Sequence, residues 1–301
     1  MDKPDGAIRV LHVSDIHVDV PLRHVPLGGW AGKRLMGGAN LVLRRGKHFR
    51  RVREKVKVLD RFWREAGVDL VLCTGDYTVL GTEAELAAAR EVIAPLTEAP
   101  LGFVTVPGNH DVYVPDAVGR FERFFGDLLE TDLPDLKTDG DWPIVRLVGD
   151  TVAVVAVNSA RPNPHPWRSS GRIPDPQLDA LPGIFSDSRL AGRFVFVITH
   201  YAPRLASGKP DSFTHGLVNA EAFLSQCAAV ERGAILHGHV HHCFHLKVEG
   251  LRASLFGAGS TTQDDREGLW LFDIEPDRVR AARGGWVGDR YALTGSPFEV
   301  T

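Results

Sequence analysis

Five apolar runs in this chain stop at residues that can hold a metal ion. Ile8 to Val13 ends in Ser14-Asp15-Ile16-His17, Val68 to Thr74 in Gly75-Asp76, and Leu101 to Val106 in Pro107-Gly108-Asn109-His110-Asp111. Phe194 to Thr199 ends in His200, and Ala234 to Leu236 in His237-Gly238-His239-Val240-His241. Carboxylate, carboxamide and imidazole together make a mixed hard and borderline donor set. Such a set suits manganese, iron or zinc better than calcium. Asp15 and His17 are two apart, so in extended chain both side chains point to one side. One strand end of this kind is a polar turn; five in succession point to a metal centre.

The elements that must position these residues follow from periodicity. The apolar runs read as short buried strands. Between the first two, residues 48–66 carry Val52, Val56, Leu59 and Trp63 at helical spacing, closed by Gly67. Glu83 to Leu96 reads as a second helix with Thr82 as N-cap. Strand, helix, strand, helix, strand implies parallel pairing through right-handed crossovers. The carboxyl ends of such strands line one edge, where ligands bind. Asp15, His17, Asp76, Asn109 and His110 are therefore expected to cluster. Beyond a helical stretch at 118–129, Ile144 to Val148 and Val152 to Val157 read as neighbouring strands around Gly149-Asp150. Helices are expected from Pro176 to about Leu181 and from Asn219 to Val230. The alternating stretches His245–Val248, Arg252–Phe256 and Leu269–Ile274 read as antiparallel strands finishing a second sheet. With no repeat or linker, residues 1–301 are expected to form a single domain.

Composition narrows the partners. A formal net charge of -3 and the lack of an aromatic stacking array argue against nucleic acid. Three separated cysteines, Cys73, Cys227 and Cys243, fit neither a disulfide framework nor a structural zinc site. No apolar run is long enough to span a membrane, and the N-terminus lacks a signal-peptide core. A cytoplasmic location is expected. Residues 20–50 are an irregular, glycine- and proline-broken insertion, basic and apolar. From Lys33 to Lys57 there are ten Lys or Arg and one acid, Glu54. Much of that charge is expected on the solvated face of the following helix. The functional alternative is a flap over an anionic substrate, or a peripheral contact through residues 33–57 with an anionic membrane surface.

The series Asp15-x-His17, Gly75-Asp76, Gly108-Asn109-His110-Asp111, His200 and Gly238-His239-x-His241 resembles the calcineurin-like metallophosphoesterases, with all five blocks in order. The resemblance implies a four-layer α/β/β/α sandwich of two mixed sheets with flanking helices, and a dinuclear centre of two divalent or trivalent ions. Carried over, Asp15, His17 and His241 would hold one metal, Asn109, His200 and His239 the other, and Asp76 would bridge them. His110 would be the catalytic histidine, and Asp111 would help orient it. The implied reaction is phosphoester hydrolysis by metal-activated hydroxide, with His110 as general acid. One departure stands out. Many members carry a further acid after the bridging Asp, and Gly75-Asp76-Tyr77-Thr78-Val79 has none.

Gly171-x-Ile173 with Gln177-Leu178, and the His200-Tyr201-Ala202-Pro203 turn, resemble the bacterial cyclic-nucleotide phosphodiesterase branch. A small phosphodiester such as a cyclic nucleotide is the first expectation. A lipid-linked phosphate or pyrophosphate cleaved at the membrane surface is the second. Some proteins of this fold are non-catalytic scaffolds with degraded catalytic positions, whereas here every position is intact. Of the other histidines, His12 is expected to pack in the core, while His237 is a candidate for positioning its loop and His165 and His215 are candidates for touching the substrate.

Overall fold

The fold was taken from a computed structural model, which describes residues 2–18, 20–21, 33–40, 46–49, 51–163, 165 and 167–300. In chain order the first sheet begins with β1 (Ile8–Val13), β2 (Leu70–Cys73) and β3 (Phe103–Thr105). The second contains β4 (Ile144–Val148), β5 (Val152–Ala156), β6 (Phe194–Ile198), β7 (Gly233–His237), β8 (Phe244–Leu246) and β9 (Ser254–Gly257). The chain then returns to the first sheet through β10 (Leu269–Ile274), β11 (Val279–Val287), β12 (Arg290–Leu293) and β13 (Phe298–Glu299). Strand order is β12-β11-β10-β1-β2-β3 in the first sheet, with β13 on β11, and β4-β5-β6-β7-β9-β8 in the second.

The helices are α1 (Lys33–Asn40), α2 (Val52–Glu65), α3 (Glu83–Ile93), α4 (Arg120–Phe125), α5 (Asp175–Phe185) and α6 (Ala220–Cys227). Val52, Val56, Leu59 and Trp63 bury the apolar face of α2, and Gly67 ends the turn that follows it at φ +65°. Thr82 and Glu85 close a reciprocal capping box at the start of α3.

Alternation along the strands builds the layers. In β6, Phe194, Phe196 and Ile198 face the core between the sheets, while Val195 and Val197 pack with α5 and α6 outside. Phe196, Phe256 and Phe272 meet between the sheets with ring centroids 5.0–5.2 Å apart. On the other side, α2 and α3 cover the first sheet. Two mixed sheets thus pack face to face with helices outside, as expected.

Three local expectations need correction. First, the tail does not simply finish the second sheet. β9 joins β7 in parallel, whereas β10 crosses back and pairs antiparallel with β1, from Ile8↔Ile274 to His12↔Trp270. A buried Arg9–Asp273 ion pair, 2.6 Å, ties these two strands together. Second, α2 begins at Val52, because a 3-10 turn occupies Gly46–Phe49. Third, part of the basic segment is not solvated: Lys33, Arg34 and Lys55 are buried. Lys55 leaves α2 to bind Thr262 O (2.9 Å), Asp264 (2.6 Å) and Glu267. Most of the 20–50 insertion lies outside the described residues, and so does its reading as a flap. Among the described residues, no helix is long and apolar enough to cross a membrane.

Candidate metal centre

The strand ends of both sheets meet at one edge, as the strand order requires. Asp15 and His17 are not in extended chain, however. Their φ values are +55° and +51°, and Asp76, His239 and His241 are also left-handed, at +60°, +69° and +48°. Non-glycine residues rarely adopt this region, and such strain gathers at functional sites. The conformation lets the loops after β1 and β2 lie side by side. The N–H groups of Asp15, His17 and Val18 donate to the carbonyls of Gly75, Asp76 and Tyr77 at 2.9, 3.0 and 2.7 Å.

Asp15, His17 and His241 form one cluster. His17 Nδ1–H donates to Thr78 O at 2.9 Å, and His241 Nδ1–H donates to Gln263 Oε1. These bonds fix the tautomers and leave both Nε2 atoms without a proton. The two Nε2 atoms stand 3.1 Å apart, and His241 Nε2 lies 3.0 Å from Asp15 Oδ1. Asp15 Oδ1 is buried with no hydrogen-bond partner, while Oδ2 accepts the His239 N–H at 3.1 Å. Two lone pairs and an unsatisfied carboxylate oxygen therefore converge on one point, which fits a cation.

Asn109, His200 and His239 form the second cluster. Asn109 Oδ1 lies 3.1 Å from His200 Nε2 and 2.8 Å from His239 Nδ1. His200 Nδ1–H donates to Thr74 O at 2.7 Å, and His239 Nε2–H to the His215 carbonyl at 3.1 Å. His239 thereby turns Nδ1 inward, and His200 turns Nε2 inward towards Asp76. Asp76 stands between the clusters, its Oδ2 3.8 Å from His17 Nε2 and 3.5 Å from His200 Nε2.

Electrostatics prepares the donors. Burial drives His17 down to about 3, although Asp76 pulls the other way, and burial also lowers His239. Burial opposes ionisation of Asp15 and Asp76, yet His241 beside Asp15 and His200 beside Asp76 hold both below the usual carboxylate range. For His200 itself, burial is outweighed by Asp76 and Asp15, and its pKa rises to about 9. Neutral imidazoles and ionised carboxylates are the forms that bind metal, so His200 would have to release a proton on binding one.

His110 sits beside the clusters on the loop after β3. Its Nδ1–H donates to Val79 O at 2.6 Å. The ring stacks on Tyr113 with centroids 5.3 Å apart. Asp111 directs its carboxylate into the loop backbone, accepting N–H groups from Asp76, Tyr77, Thr78 and Gly108 at 2.9–3.0 Å. It supports His110 through that backbone. Two glycines permit the close approach. A Cβ on Gly108 would lie 2.0 Å from Asp76 Oδ1, and one on Gly238 1.9 Å from Ser14 Oγ.

A model of the calcineurin-like phosphoesterases matches residues 8–243. The chain belongs to that family. No curated protein matches the sequence. Among solved structures, a dimetal phosphatase from Danio rerio superposes with a TM-score of 0.65 at 14% identity, over 95% of this chain and 98% of that one. A purple acid phosphatase from yellow lupin seeds superposes with a TM-score of 0.60 at 10% identity, over 95% of this chain and 52% of that one. At such identities the likeness concerns the fold. A centre of two metals is typical of the calcineurin-like phosphoesterases, and Asp15 with His17 and His241, Asp15 with Asp76 and His200, and Asp211 with His215 and His239 are groups that could hold a metal ion.

All nine residues singled out in the sequence converge on this edge. Of the remaining histidines, His215 lies against His239 and donates from Nδ1 to Asp211 Oδ2 at 2.5 Å. His165 instead stacks on the exposed Trp167. His237 borders the site loop, donating to Gly238 O at 3.2 Å, and His12 is buried beside Thr74. Burial pushes the Cys73 thiol up to about 12, so it is packing.

Sequence reasoning missed Ser260-Thr261-Thr262-Gln263. Ser260 and Thr261 donate to the carbonyls of Asp15 and Ser14 at 2.6 and 2.7 Å, Thr262 donates to Ile16 O, and Gln263 sets His241. The available signal was a buried polar run just after the apolar strand β9. Tyr113 on the cavity wall was missed as well, and Lys33 beside it was read only as part of the basic segment.

Proposed function

We propose that this protein is a dinuclear metal-dependent phosphodiesterase. Asp15, His17 and His241 would hold one ion, Asn109, His200 and His239 the other, and Asp76 both. The observation that carries this reading is the convergence of unprotonated His17 and His241 Nε2, with Asp15 Oδ1, beside an Asp76 carboxylate that faces both clusters. When bound, two such cations lower the pKa of water towards neutrality and offset charge on the phosphoryl oxygens. The donor set suits manganese, iron or zinc.

The chain's own residues do the rest. Gln263, Thr78 and Thr74 hold the histidine tautomers. His110 lines the cavity, where its protonated, imidazolium form would give a proton from Nε2 to the leaving oxygen. The cavity, about 720 Å³, is large enough for groups on both sides of the phosphorus, which supports a diester. A cyclic nucleotide is the small diester that the Gly171 and His200 segments suggest.

A second reading, hydrolysis of a lipid-linked phosphate or pyrophosphate at a membrane surface, is favoured by exposed Leu35, Val118, Trp167 and Phe213. These lie on segments tied to one another near the cavity: Arg34 bonds Asp116 at 2.8 Å, Lys33 bonds Arg168 O at 3.1 Å, and Arg168 covers Phe213 at 4.6 Å.

Turnover of bis-p-nitrophenyl phosphate against p-nitrophenyl phosphate tests the first reading. Metal-dependent preference for the diester is expected. Preference for the monoester would sink it. Co-flotation with anionic vesicles tests the second reading, and its absence would count against membrane action.

A further inference from the structure

Lys33 opens α1 as a buried residue on the wall of the cavity that holds Asp76 and His110. Its Nζ donates to Arg168 O at 3.1 Å and lies 4.5 Å over the Tyr113 ring, which in turn stacks on His110. Among the described residues, no carboxylate pairs with it. The other buried cations are matched. Arg9 has Asp273 at 2.6 Å, Arg34 has Asp116 at 2.8 Å, and Lys55 has Asp264 at 2.6 Å together with Glu267. An ammonium offers three donors, and one removed from water needs a counter-charge. Burial pulls the Lys33 pKa down to about 8, with the distant Asp76 carboxylate pulling it back. That carboxylate is engaged elsewhere once it holds cations. The missing counter-charge must arrive with a ligand.

Its position says which part of the ligand. Lys33 lies one ring beyond His110, and His110 serves the leaving oxygen. We propose that Lys33 docks a second phosphate in the leaving group, so that the preferred substrate is a diphosphate diester. This rests on the metal-dependent phosphoryl hydrolysis proposed above and shifts its preferred substrate from a simple diester such as a cyclic nucleotide to a diphosphate. Hydrolysis of that substrate is balanced by one water. The water oxygen bonds one phosphorus, the bridging P–O bond breaks, and the bridging oxygen leaves on the second phosphate. The two hydrogens of water are shared between the two phosphomonoester products. Trp167 and Phe213 are exposed within two residues of Ser169 and Asp211, which line the cavity, and are suited to the apolar or aromatic groups beyond the phosphates.

The test uses two probes that differ by one phosphate, diadenosine monophosphate and diadenosine diphosphate. In the metal-loaded protein the diphosphate is expected to have the higher kcat/KM. Lys33→Met should lower kcat/KM for the diphosphate about tenfold more than for the monophosphate, the scale of one charge-assisted hydrogen bond. Lys33→Arg, which keeps the charge, should recover most of the preference. Metal content and melting temperature of each variant separate this effect from misfolding. Calorimetric binding of both probes to wild type and Lys33→Met gives the same comparison independently of turnover. Equal losses for the two probes, or equal binding of both by wild type, would overturn the role of Lys33. Absence of metal-dependent turnover with the Lys33-dependent binding preference intact would instead overturn the catalytic reading alone.

Discussion

The Nε2 atoms of His17 and His241 face each other at 3.1 Å, although the residues are 224 positions apart in the chain. Each ring donates its other nitrogen to an oxygen, Thr78 O or Gln263 Oε1, so both lone pairs point at the same spot. Gln263 is therefore expected to act on metal affinity without touching the metal. Gln263→Leu should weaken binding of one ion about 10–100-fold and leave the other nearly unchanged. Titration of stripped protein with zinc, read by calorimetry, checks this. Two equally weakened sites would contradict it.

Gly108 is the point where the β3 loop touches Asp76. A Cβ there would lie 2.0 Å from Asp76 Oδ1 and 2.4 Å from its backbone N. Gly108→Ala should displace the proposed bridging carboxylate, destabilise the fold by about 1–3 kcal/mol and abolish binding of the second ion. Thermal melting together with metal analysis decides the matter. A stable variant with full metal content would show that Asp76 has room to move.

His110 is held by Val79 and stacked on Tyr113, outside both donor clusters. His110→Ala should reduce kcat about 10²–10⁴-fold while metal content stays at the wild-type level. Loss of metal in this variant would make His110 a ligand rather than a proton donor.

Acid should unfold the metal-free protein early. Burial lowers His12 and His17 from 6.5 to about 3 and His237 to about 4. Between pH 6.5 and about 4 the unfolded chain binds protons on these residues that the folded chain refuses, so stability falls as pH falls. The loss is about 1.4 kcal/mol per pH unit for each. His200, raised to about 9, works in the opposite sense, but its contribution is complete below pH 6.5 and lost only as pH rises towards 9. The melting temperature of chelator-treated protein should drop from pH 6.5 to pH 5. A flat or rising profile would show that these histidines are hydrated in the metal-free state.

The proposed metal donors were legible in the sequence because they follow the ends of apolar strands, and parallel pairing brings such ends to one edge. Asp15 and His17 illustrate the limit of that reasoning: their types pointed to the site, but their left-handed backbone did not show in a D-x-H spacing. Gln263 was invisible because its role exists only once the turn after β9 folds over the loop after β1. The place of β10 was also hidden. Its apolar run fits either sheet, and only the Arg9–Asp273 pair and the β1 register select the first. β11, with the sequence VRAARGGWV, has little strand character of its own and is held by β10 on one side and β12 on the other. Lys33 lies in a glycine-broken stretch whose charge reads as solvated until α1 places it against Tyr113.

The most direct test of the dinuclear account is activity against metal equivalents. Stripped protein is titrated with manganese, and turnover of bis-p-nitrophenyl phosphate is followed at each addition. Turnover should be absent without metal, rise mainly with the second ion, and saturate at two equivalents per chain. Saturation at one equivalent, or turnover in the stripped protein, would contradict a centre built on both the His17–His241 and the Asn109–His200 clusters.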